Sequence, residues 1–218
     1  MRNVYVVAHT EATHHVEQIV GGWYDSALTA KGVSDAGRVA AALGALIPGG
    51  RRVSLTSSDL LRTRQTAAPI AERLGVEVLT DPDLREQSYG AAEGTPVGST
   101  PYVPPPAVRD RLHHRDGNEG SETRYEWAAR SYAALHRVLA RGPEDAVVVT
   151  HGGTATYLIA AWIGLPLEAA GYVKFAVSPG GITHLREDDF FHDRQVAALN
   201  MVDHLAPVAQ PLVHGLPG

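Results

Sequence analysis

Two short apolar runs, one at the start of the chain and one late in it, each end in a histidine. Val4–Val7 precede Ala8 and His9, and Ala146–Thr150 precede His151. Runs of β-branched residues of this length predict buried strands. Polar residues directly after the strands of an open α/β sheet lie where such sheets usually bind ligands. The pattern therefore predicts two core strands that each carry a candidate reactive side chain at the carboxyl end.

Between and after these runs, apolar residues recur at helical spacing or as short strand-like runs, and glycine or proline marks many of the ends. The spacing predicts helices over residues 30–46, 61–74, 122–140 and 154–163. Further strands are expected over residues 52–56, 76–79, 182–185 and 195–201. Strands that alternate with helices in this way predict an α/β fold, a three-layer α/β/α sandwich with a mostly parallel central sheet.

The regular pattern fails between residues 82 and 120. Proline recurs in this stretch, at Pro96, Pro101, Pro104, Pro105 and Pro106. A loop this long inside a compact domain is usually functional. We therefore predict a lid or substrate loop within one domain that comprises residues 1–218. The proline-rich residues 206–218 are predicted to form a loosely held tail.

The composition excludes several classes of function. The net charge is −5, so no basic surface recommends a nucleic-acid or membrane partner. The chain has no cysteine, which rules out disulfides, thiol nucleophiles and cysteine-ligated zinc. No apolar run reaches membrane-spanning length and the first residues lack a signal-peptide pattern, so a cytoplasmic location is expected. Eleven histidines in 218 residues direct attention to histidine chemistry.

Four side chains near the ends of predicted elements are candidates for that chemistry: His9, Arg62, Glu86 and His151. A neutral imidazole can act as a nucleophile while a second one steadies the developing charge. An arginine at a strand-to-helix junction suits an anion, because the guanidinium fork matches phosphate oxygens. A carboxyl in a partly apolar loop can have a raised pKa and serve as general acid or base. Each residue alone is more often structural, so the interpretation depends on the combination.

In combination these segments resemble the histidine phosphatase superfamily, the phosphoglycerate-mutase-like enzymes. The first strand and loop, the Gly-Trp-x-Asp-x-x-Leu-Thr-x-x-Gly pattern at residues 22–32, and the Ser-x-Leu-x-Arg-x-x-Gln-Thr-Ala pattern at residues 58–67 follow one another as in that family. The acidic loop at residues 84–94 and the Thr-His-Gly-Gly motif at residues 150–153 complete the series. The similarity extends from about residue 4 to residue 185, which is most of the chain.

The resemblance implies a role for each candidate. His9 is the expected nucleophile that becomes phosphohistidine, Arg62 and His151 bind the phosphoryl group, and Glu86 protonates the leaving alcohol and then activates water. Further residues expected to contact the phosphate or substrate are His15, Thr10, Gly152 and Trp23, while Tyr89 and Tyr102 are candidate walls of the substrate pocket. Neither metal nor cofactor is expected. The expected partner is a small phosphorylated molecule, and a homodimer is a further expectation.

The first motif departs from the family pattern at its most sensitive place. The arginine before the nucleophilic histidine is Ala8, and the glycine after it is Thr10. The threonine of the motif is Ala12, and a position often held by asparagine is His15. Losing a bidentate phosphate ligand weakens transition-state binding. Either His14 or His15 replaces part of the missing charge, or the substrate differs, or the scaffold has left phosphoryl transfer.

Three alternatives remain open at this stage. An isomerase or lyase would use His9, His15, Glu86 and His151 for proton transfer. A metal site would combine His9, His14 and His15 with Glu11 or Glu17, although the spacing matches no zinc signature. A catalytically silent binding protein is the third, and the joint presence of His9, Arg62, Glu86 and His151 disfavours it.

Overall fold

Six strands form one mixed sheet at the centre of the computed structural model, which describes residues 1–206. The order across the sheet is β3-β2-β4-β1-β5-β6. The first four of these strands are mutually parallel, whereas β5 runs antiparallel to both of its neighbours, β1 and β6. The predicted fold class, an α/β sandwich with a mostly parallel central sheet, is confirmed. Apart from Ala206, the predicted tail lies outside the described residues.

The elements follow one another in the order expected for alternating strands and helices. The strands are β1 (Arg2–Ala8), β2 (Val53–Ser57), β3 (Val78–Thr80), β4 (Asp145–Thr150), β5 (Ile182–Glu187) and β6 (Arg194–Met201). The helices are α1 (Thr13–Val16), α2 (Ala30–Leu46), α3 (Leu61–Leu74), α4 (Arg124–Ala140) and α5 (Gly152–Trp162). Short 3₁₀ turns cover Pro82–Leu84, Gly90–Ala92, Leu167–Tyr172 and Asp203–Leu205.

The two faces of the sheet bury alternate residues of the same strands. Val4 and Val6 of β1 pack against α4 and α5, whereas Tyr5 and Val7 pack against α2 and α3. β4 alternates in the same way, and all six of its residues are buried. Strands covered on both faces need continuous apolar sequences, which explains why these two were the clearest in the sequence. The three layers place the carboxyl ends of β1 and β4 together.

The helix predictions for residues 30–46 and 61–74 are confirmed to the residue. The side chain of Thr29 accepts from the N–H of Gly32 at the start of α2. Gly75 ends α3 with a φ of 66°, a left-handed conformation in which a glycine avoids steric cost. α4 begins two residues later than predicted, because Thr123 and Glu126 form a capping box at its start.

Other boundaries differ in ways that affect the site. α5 begins at Gly152, two residues before the predicted start, so that His151 is its N-cap. β3 begins at Val78 instead of residue 76, because the Val76 N–H still bonds to the Ala71 carbonyl at the end of α3. α1, with four residues, was not predicted at all.

The stretch between residues 82 and 120 is irregular but tied to the body of the protein. Arg130 of α4 donates to the carbonyl oxygens of Asp83, Arg85 and Glu86. The bridge between Tyr89 and Ser121 closes the stretch at its far end. Its function as a lid stays a prediction. Separately, none of the helices in residues 1–206 has the length and apolar character needed to cross a membrane.

Candidate active site

The two histidines at the ends of the core strands lie side by side. β1 and β4 are neighbouring parallel strands whose register pairs Ala8 with Thr150, so His9 and His151 leave the sheet at the same edge. The N–H of His9 donates to the Thr150 carbonyl at 2.8 Å. The two imidazole centroids are 5.1 Å apart, and both side chains are buried. The strand pairing thus brings two residues 142 positions apart in sequence into one site.

A cavity of about 220 Å³ opens over these rings. We call it the phosphoryl cavity, because the family resemblance predicts that Arg62 and His151 bind a phosphoryl group. Its ionisable lining residues are His9, His14, His15, Arg62, Glu86 and His151. Gly152 and Ala8 also line it. The sequence-predicted catalytic residues and most of the predicted phosphate ligands therefore meet in this one cavity.

The hydrogen bonds of His9 determine which of its nitrogens is free. Nδ1 lies 2.7 Å from the carbonyl oxygen of Thr10, and since a carbonyl only accepts, Nδ1 carries the proton. Nε2 therefore holds the lone pair, and it accepts from Nε of Arg62 at 3.2 Å. Burial and the Arg62 charge hold the pKa of His9 well below the usual value, so the ring is neutral at physiological pH. His9 is an uncharged nitrogen nucleophile fixed in one tautomer.

Arg62 is held in place by the backbone of the loop that follows the first motif. Nη2 donates to the Gly22 carbonyl at 2.7 Å and Nη1 to the Tyr24 carbonyl at 2.8 Å. Burial lowers the pKa of Arg62 to about 10, which still leaves it charged at neutral pH. Gly22 has a φ of 57°, and an added Cβ would come within 2.9 Å of the Gln87 carbonyl oxygen. The glycine of the Gly-Trp motif is therefore needed for the position of the guanidinium.

Glu86 approaches the cavity from the irregular segment. Its carboxylate accepts from the N–H of Gly153 at 2.9 Å and from its neighbour Gln87 at 3.0 Å. Burial raises the pKa of Glu86, and those two N–H groups and Arg62 oppose the rise. A carboxyl with a raised pKa is suited to give and take a proton near neutral pH.

The backbone around Glu86 is fixed by side chains from two other elements. The indole Nε1 of Trp23 donates to the Glu86 carbonyl at 2.8 Å, and Arg130 donates to the same oxygen at 2.7 Å. Arg85 stacks over the Trp23 ring and forms a two-point ion pair with Asp59. Trp23, predicted to contact substrate, supports Glu86 from outside the cavity.

His151 lines the cavity, and one of its ring nitrogens has no hydrogen-bond partner within residues 1–206. Its Nε2 lies 3.0 Å from the hydroxyl of Ser58, and its Nδ1 is buried without a hydrogen-bond partner among residues 1–206. If the Ser58 hydroxyl donates to Nε2, the proton of the neutral ring is on Nδ1. Burial and the nearby Arg62 keep the pKa of His151 well below its usual value. Such a buried, unsatisfied donor is an expected feature of a site that binds an oxyanion.

His14 and His15 come from α1 and also line the cavity. His15 stacks on His9 at 5.5 Å, and its Nδ1 accepts from the Ala12 N–H at 3.3 Å, which leaves a proton on Nε2. His14 is buried and bonded to the Ser26 hydroxyl at 2.7 Å. Burial and the charges of its neighbours lower the pKa of His14 to about 3 and also lower that of His15. Neither imidazole therefore supplies a fixed positive charge at neutral pH in place of the family arginine.

Thr10, also predicted to contact substrate, is not brought to the cavity. Its hydroxyl donates to the Gly32 carbonyl at 2.8 Å, and its N–H bonds to the Thr66 hydroxyl. It joins the first motif to α2 and α3 in the interior.

The proposed metal alternative gains no support from the side-chain positions. Within residues 1–206, no three histidine or acidic side chains are grouped so that they could hold a metal ion.

Two contributors were missed by sequence reasoning. Ser58 stands at the start of the Ser-x-Leu-x-Arg motif, so the motif itself could have identified it. Arg130 lies in a helix with no distinguishing pattern, and only the structure reveals that it holds the loop of Glu86.

The fold agrees with comparisons to known proteins. The family model described as histidine phosphatase superfamily (branch 1) matches residues 4–200. The chain belongs to the histidine phosphatase superfamily. A relative named probable phosphoglycerate mutase GpmB, from Yersinia pestis (strain Pestoides F), is 33% identical over 178 residues, which is 78% of this chain and 78% of the relative.

Solved structures of two phosphatases and a hydrolase have a similar fold. A mycobacterial glucosyl-3-phosphoglycerate phosphatase complexed with VO3 superposes with a TM-score of 0.74 and 26% identity, covering 93% of this chain and all of that chain (100%). A structure titled mycobacterial hydrolase 1 gives a TM-score of 0.73 and 26% identity over 91% of this chain and 98% of its own. A putative alpha-ribazole-5'-P phosphatase from Escherichia coli, 21% identical over 92% of this chain and 96% of its own, shares the fold with a TM-score of 0.73.

Proposed function

We propose that this enzyme hydrolyses a small phosphate monoester through a phosphohistidine at His9. One observation carries the proposal: the lone pair of His9 Nε2 lies against Arg62 in a buried cavity that Glu86 and His151 also line. A neutral nucleophile, a fixed cation and a carboxyl with a raised pKa are the groups that transfer of a phosphoryl group requires. Among the relatives, one is named for phosphoglycerate and one for glucosyl-3-phosphoglycerate, which supports a small phosphorylated substrate.

In the first step, Nε2 of His9 attacks phosphorus and the bond between phosphorus and the ester oxygen breaks. The protonated carboxyl of Glu86 gives its proton to the leaving oxygen, which departs as an alcohol. Arg62, His151 and the N–H of Gly152 at the start of α5 stabilise the phosphoryl oxygens. The Nδ1–H of His9 donates to the Thr10 carbonyl, which keeps the proton on Nδ1 and leaves the Nε2 lone pair free to attack phosphorus.

In the second step, the carboxylate of Glu86 takes a proton from water as the water oxygen attacks phosphorus. The phosphorus–nitrogen bond breaks, and inorganic phosphate and neutral His9 are regenerated. The same carboxyl thus serves as acid and then as base, as microscopic reversibility expects. A second alcohol in place of water would make the enzyme a mutase, so the balance of free phosphate to isomerised ester distinguishes the two outcomes.

The test is trapping of the intermediate. Enzyme is mixed with a panel of ³²P-labelled phosphate monoesters in the presence of a chelator and quenched in alkali, which preserves phosphohistidine. Label on the protein and release of phosphate are expected for the wild type. Both should disappear in His9→Ala but persist in His136→Ala, because His136 is exposed on α4. Phosphate release by His9→Ala at the wild-type rate would overturn the proposal.

A second candidate rests on Ala8. Without the arginine of the first motif, the cavity has one buried guanidinium and four imidazoles, a set that could move protons in an isomerase or lyase. Exchange of substrate carbon-bound hydrogen with deuterium from solvent, in the absence of phosphate release, would favour this reaction. A homodimer and a cytoplasmic location stay predictions.

A further inference from the structure

A second cavity adjoins the phosphoryl cavity on the far side of Glu86. Its volume is about 470 Å³, and we call it the side cavity. Glu86, Gly152 and Val177 line both cavities. The carboxyl that would protonate the leaving oxygen therefore stands at the junction. A group attached to that oxygen would have the side cavity next to it.

Five of the residues that line the side cavity are aromatic. Its aromatic lining residues are Tyr89, Tyr102, Trp127, Tyr157 and Phe175. The rings of Trp127 and Tyr157 meet edge to face at 4.8 Å, which makes a rigid corner. A three-carbon alcohol would leave most of this space unfilled, since cavities of roughly 300–1,000 Å³ suit ligands of several rings. Flat walls favour a ring that can stack against them.

Two cations also line the side cavity, and neither is neutralised by an ion pair within residues 1–206. Arg124 donates one hydrogen bond, from Nη1 to the Gly171 carbonyl at 3.1 Å, which leaves other N–H groups of the guanidinium free among the described residues. Lys174 is exposed and makes no hydrogen bond to the described residues. The only carboxylate among the lining residues is Glu86, at the junction. Charge complementarity therefore points to an anionic group at the outer end of the ligand.

Tyr157 adds an unused polar group. Its side chain is only 4% exposed, yet its hydroxyl has no hydrogen-bond partner in residues 1–206, unlike the adjacent Trp127 indole, which donates to Thr154. Burial raises the pKa of Tyr157 to about 12, so the hydroxyl keeps its proton and can donate. This hydroxyl belongs to a residue that lines the side cavity, so it can donate to a ligand there without breaking a hydrogen bond within the described residues.

We propose that the side cavity binds a leaving alcohol that carries a ring and a second anionic group, recognised by the aromatic walls together with Lys174, Arg124 and Tyr157. The assignment of this ligand to a leaving alcohol rests on the proposed function. The preference for a ring joined to an anion rests on the side cavity alone.

Binding of phosphonates tests the preference without turnover, because their phosphorus–carbon bond is not an ester. Affinities of the full chain are measured by calorimetry for benzylphosphonate, for 3- and 4-carboxybenzylphosphonate, and for 3-phosphonopropanoate, which has the carboxylate but no ring. At least one carboxybenzyl isomer should bind about tenfold more tightly than either reference ligand, the effect expected of one new charged hydrogen bond.

Two substitutions should remove that advantage. Lys174→Gln and Tyr157→Phe are each expected to weaken the favoured carboxybenzyl ligand several-fold and to leave benzylphosphonate unchanged. Arg52→Gln is the matched control, because Arg52 is an exposed cation beside Glu144 and outside both cavities. Thermal unfolding of each variant verifies that it is folded.

The outcomes separate the two proposals. Equal affinities for all the phosphonates, or a carboxybenzyl preference that survives the Lys174→Gln/Tyr157→Phe double variant, would overturn the side-cavity assignment even if phosphohistidine forms. A preference that depends on Lys174 and Tyr157, in a protein that never forms phosphohistidine, would keep the assignment and overturn the proposed hydrolysis.

Discussion

Nε of Arg62 donates to Nε2 of His9 across 3.2 Å, while the two terminal nitrogens of the same guanidinium donate to the carbonyls of Gly22 and Tyr24. The proposed nucleophile and its neighbouring cation are thus in contact before any ligand enters. A phosphoryl group that reaches Nε2 must exchange this contact for contacts of its own oxygens with Arg62. The arrangement is prepared for the transition state and needs little reorganisation.

The first prediction concerns that contact. Arg62→Lys should lower kcat/KM for phosphate monoesters by roughly 10²–10³, the loss typical of one oxyanion donor, because an ammonium cannot span His9 and both carbonyls. Arg64→Lys is the control, since Arg64 is exposed two residues along the same helix. Steady-state kinetics of both variants measure kcat/KM. A loss of less than tenfold in Arg62→Lys would contradict the proposed role of Arg62 in binding the phosphoryl group.

The second prediction concerns acid stability. Burial lowers the pKa values of His9, His14 and His151 below the ordinary 6.5. The unfolded chain therefore takes up these protons first as the pH falls, and each imidazole removes about 1.4 kcal/mol of unfolding free energy per pH unit below about pH 6.5. Glu86, with its raised pKa, acts in the opposite direction above about pH 4.5, but it is one group against five, because burial also lowers the pKa values of His15 and His184.

Urea unfolding at pH 7.0 and pH 5.5 measures this effect. The free energy of unfolding should be about 2 to 4 kcal/mol lower at pH 5.5. His14→Asn, which can keep the bond to Ser26, should reduce the difference, whereas His136→Asn on the exposed face of α4 should not. Equal stability at the two pH values would show that these imidazoles are not buried in the neutral form.

The third prediction compares two glycines. A Cβ at Gly153 would lie 2.5 Å from Oε1 of Glu86 and 2.2 Å from the Trp127 ring, so Gly153→Ala should displace the carboxyl and lower kcat. It should also reduce stability by about 1–3 kcal/mol, as overpacking does. A Cβ at Gly37 in α2 meets nothing within 4 Å, so Gly37→Ala should raise stability by roughly 0.5–1 kcal/mol and leave kcat unchanged. Kinetics and urea unfolding of the pair test both statements.

The fourth prediction restores the family arginine. Ala8 is buried and lines the phosphoryl cavity, so a guanidinium at this position would add a second charged phosphate ligand. Ala8→Arg should lower the inhibition constant of inorganic phosphate by about tenfold or more, as expected for a charge-assisted bidentate contact. Ala8→Met adds a side chain without the charge and should not. Weaker phosphate inhibition in both variants would show that a larger side chain at position 8 obstructs phosphate, and would contradict the prediction.

Much of the fold could be predicted because β1 and β4 are covered on both faces and so have continuous apolar sequences. α1 was missed because four residues cannot show a helical period. It is held by contacts outside itself, such as the bond from the Thr13 N–H to the Ala27 carbonyl. The boundaries of α4 and α5 depend on Thr123 and His151 as caps, which periodicity does not reveal.

The reacting groups could be placed from the sequence because motif order identified His9, Arg62, Glu86 and His151 together. The direction in which each side chain points could not be predicted from the sequence. Thr10 occupies a motif position, yet its hydroxyl turns to the Gly32 carbonyl. Trp23 follows a motif glycine, yet it supports the backbone of Glu86. The side cavity is assembled from segments far apart in the chain. The sequence named two residues that line it, Tyr89 and Tyr102, as candidate pocket walls, but not the others.

The irregular stretch between β3 and α4 has a consequence for how such an enzyme diversifies. Residues 88–120 contribute Tyr89 and Tyr102 to the side cavity and nothing to the phosphoryl cavity, which is built from strand ends, helix starts and the loops that hold them. Lengthening, shortening or exchanging this stretch would alter what is accepted while sparing the reacting groups. Evolution, or a loop-grafting experiment, can therefore change which ligands this scaffold accepts without changing the residues of the phosphoryl cavity.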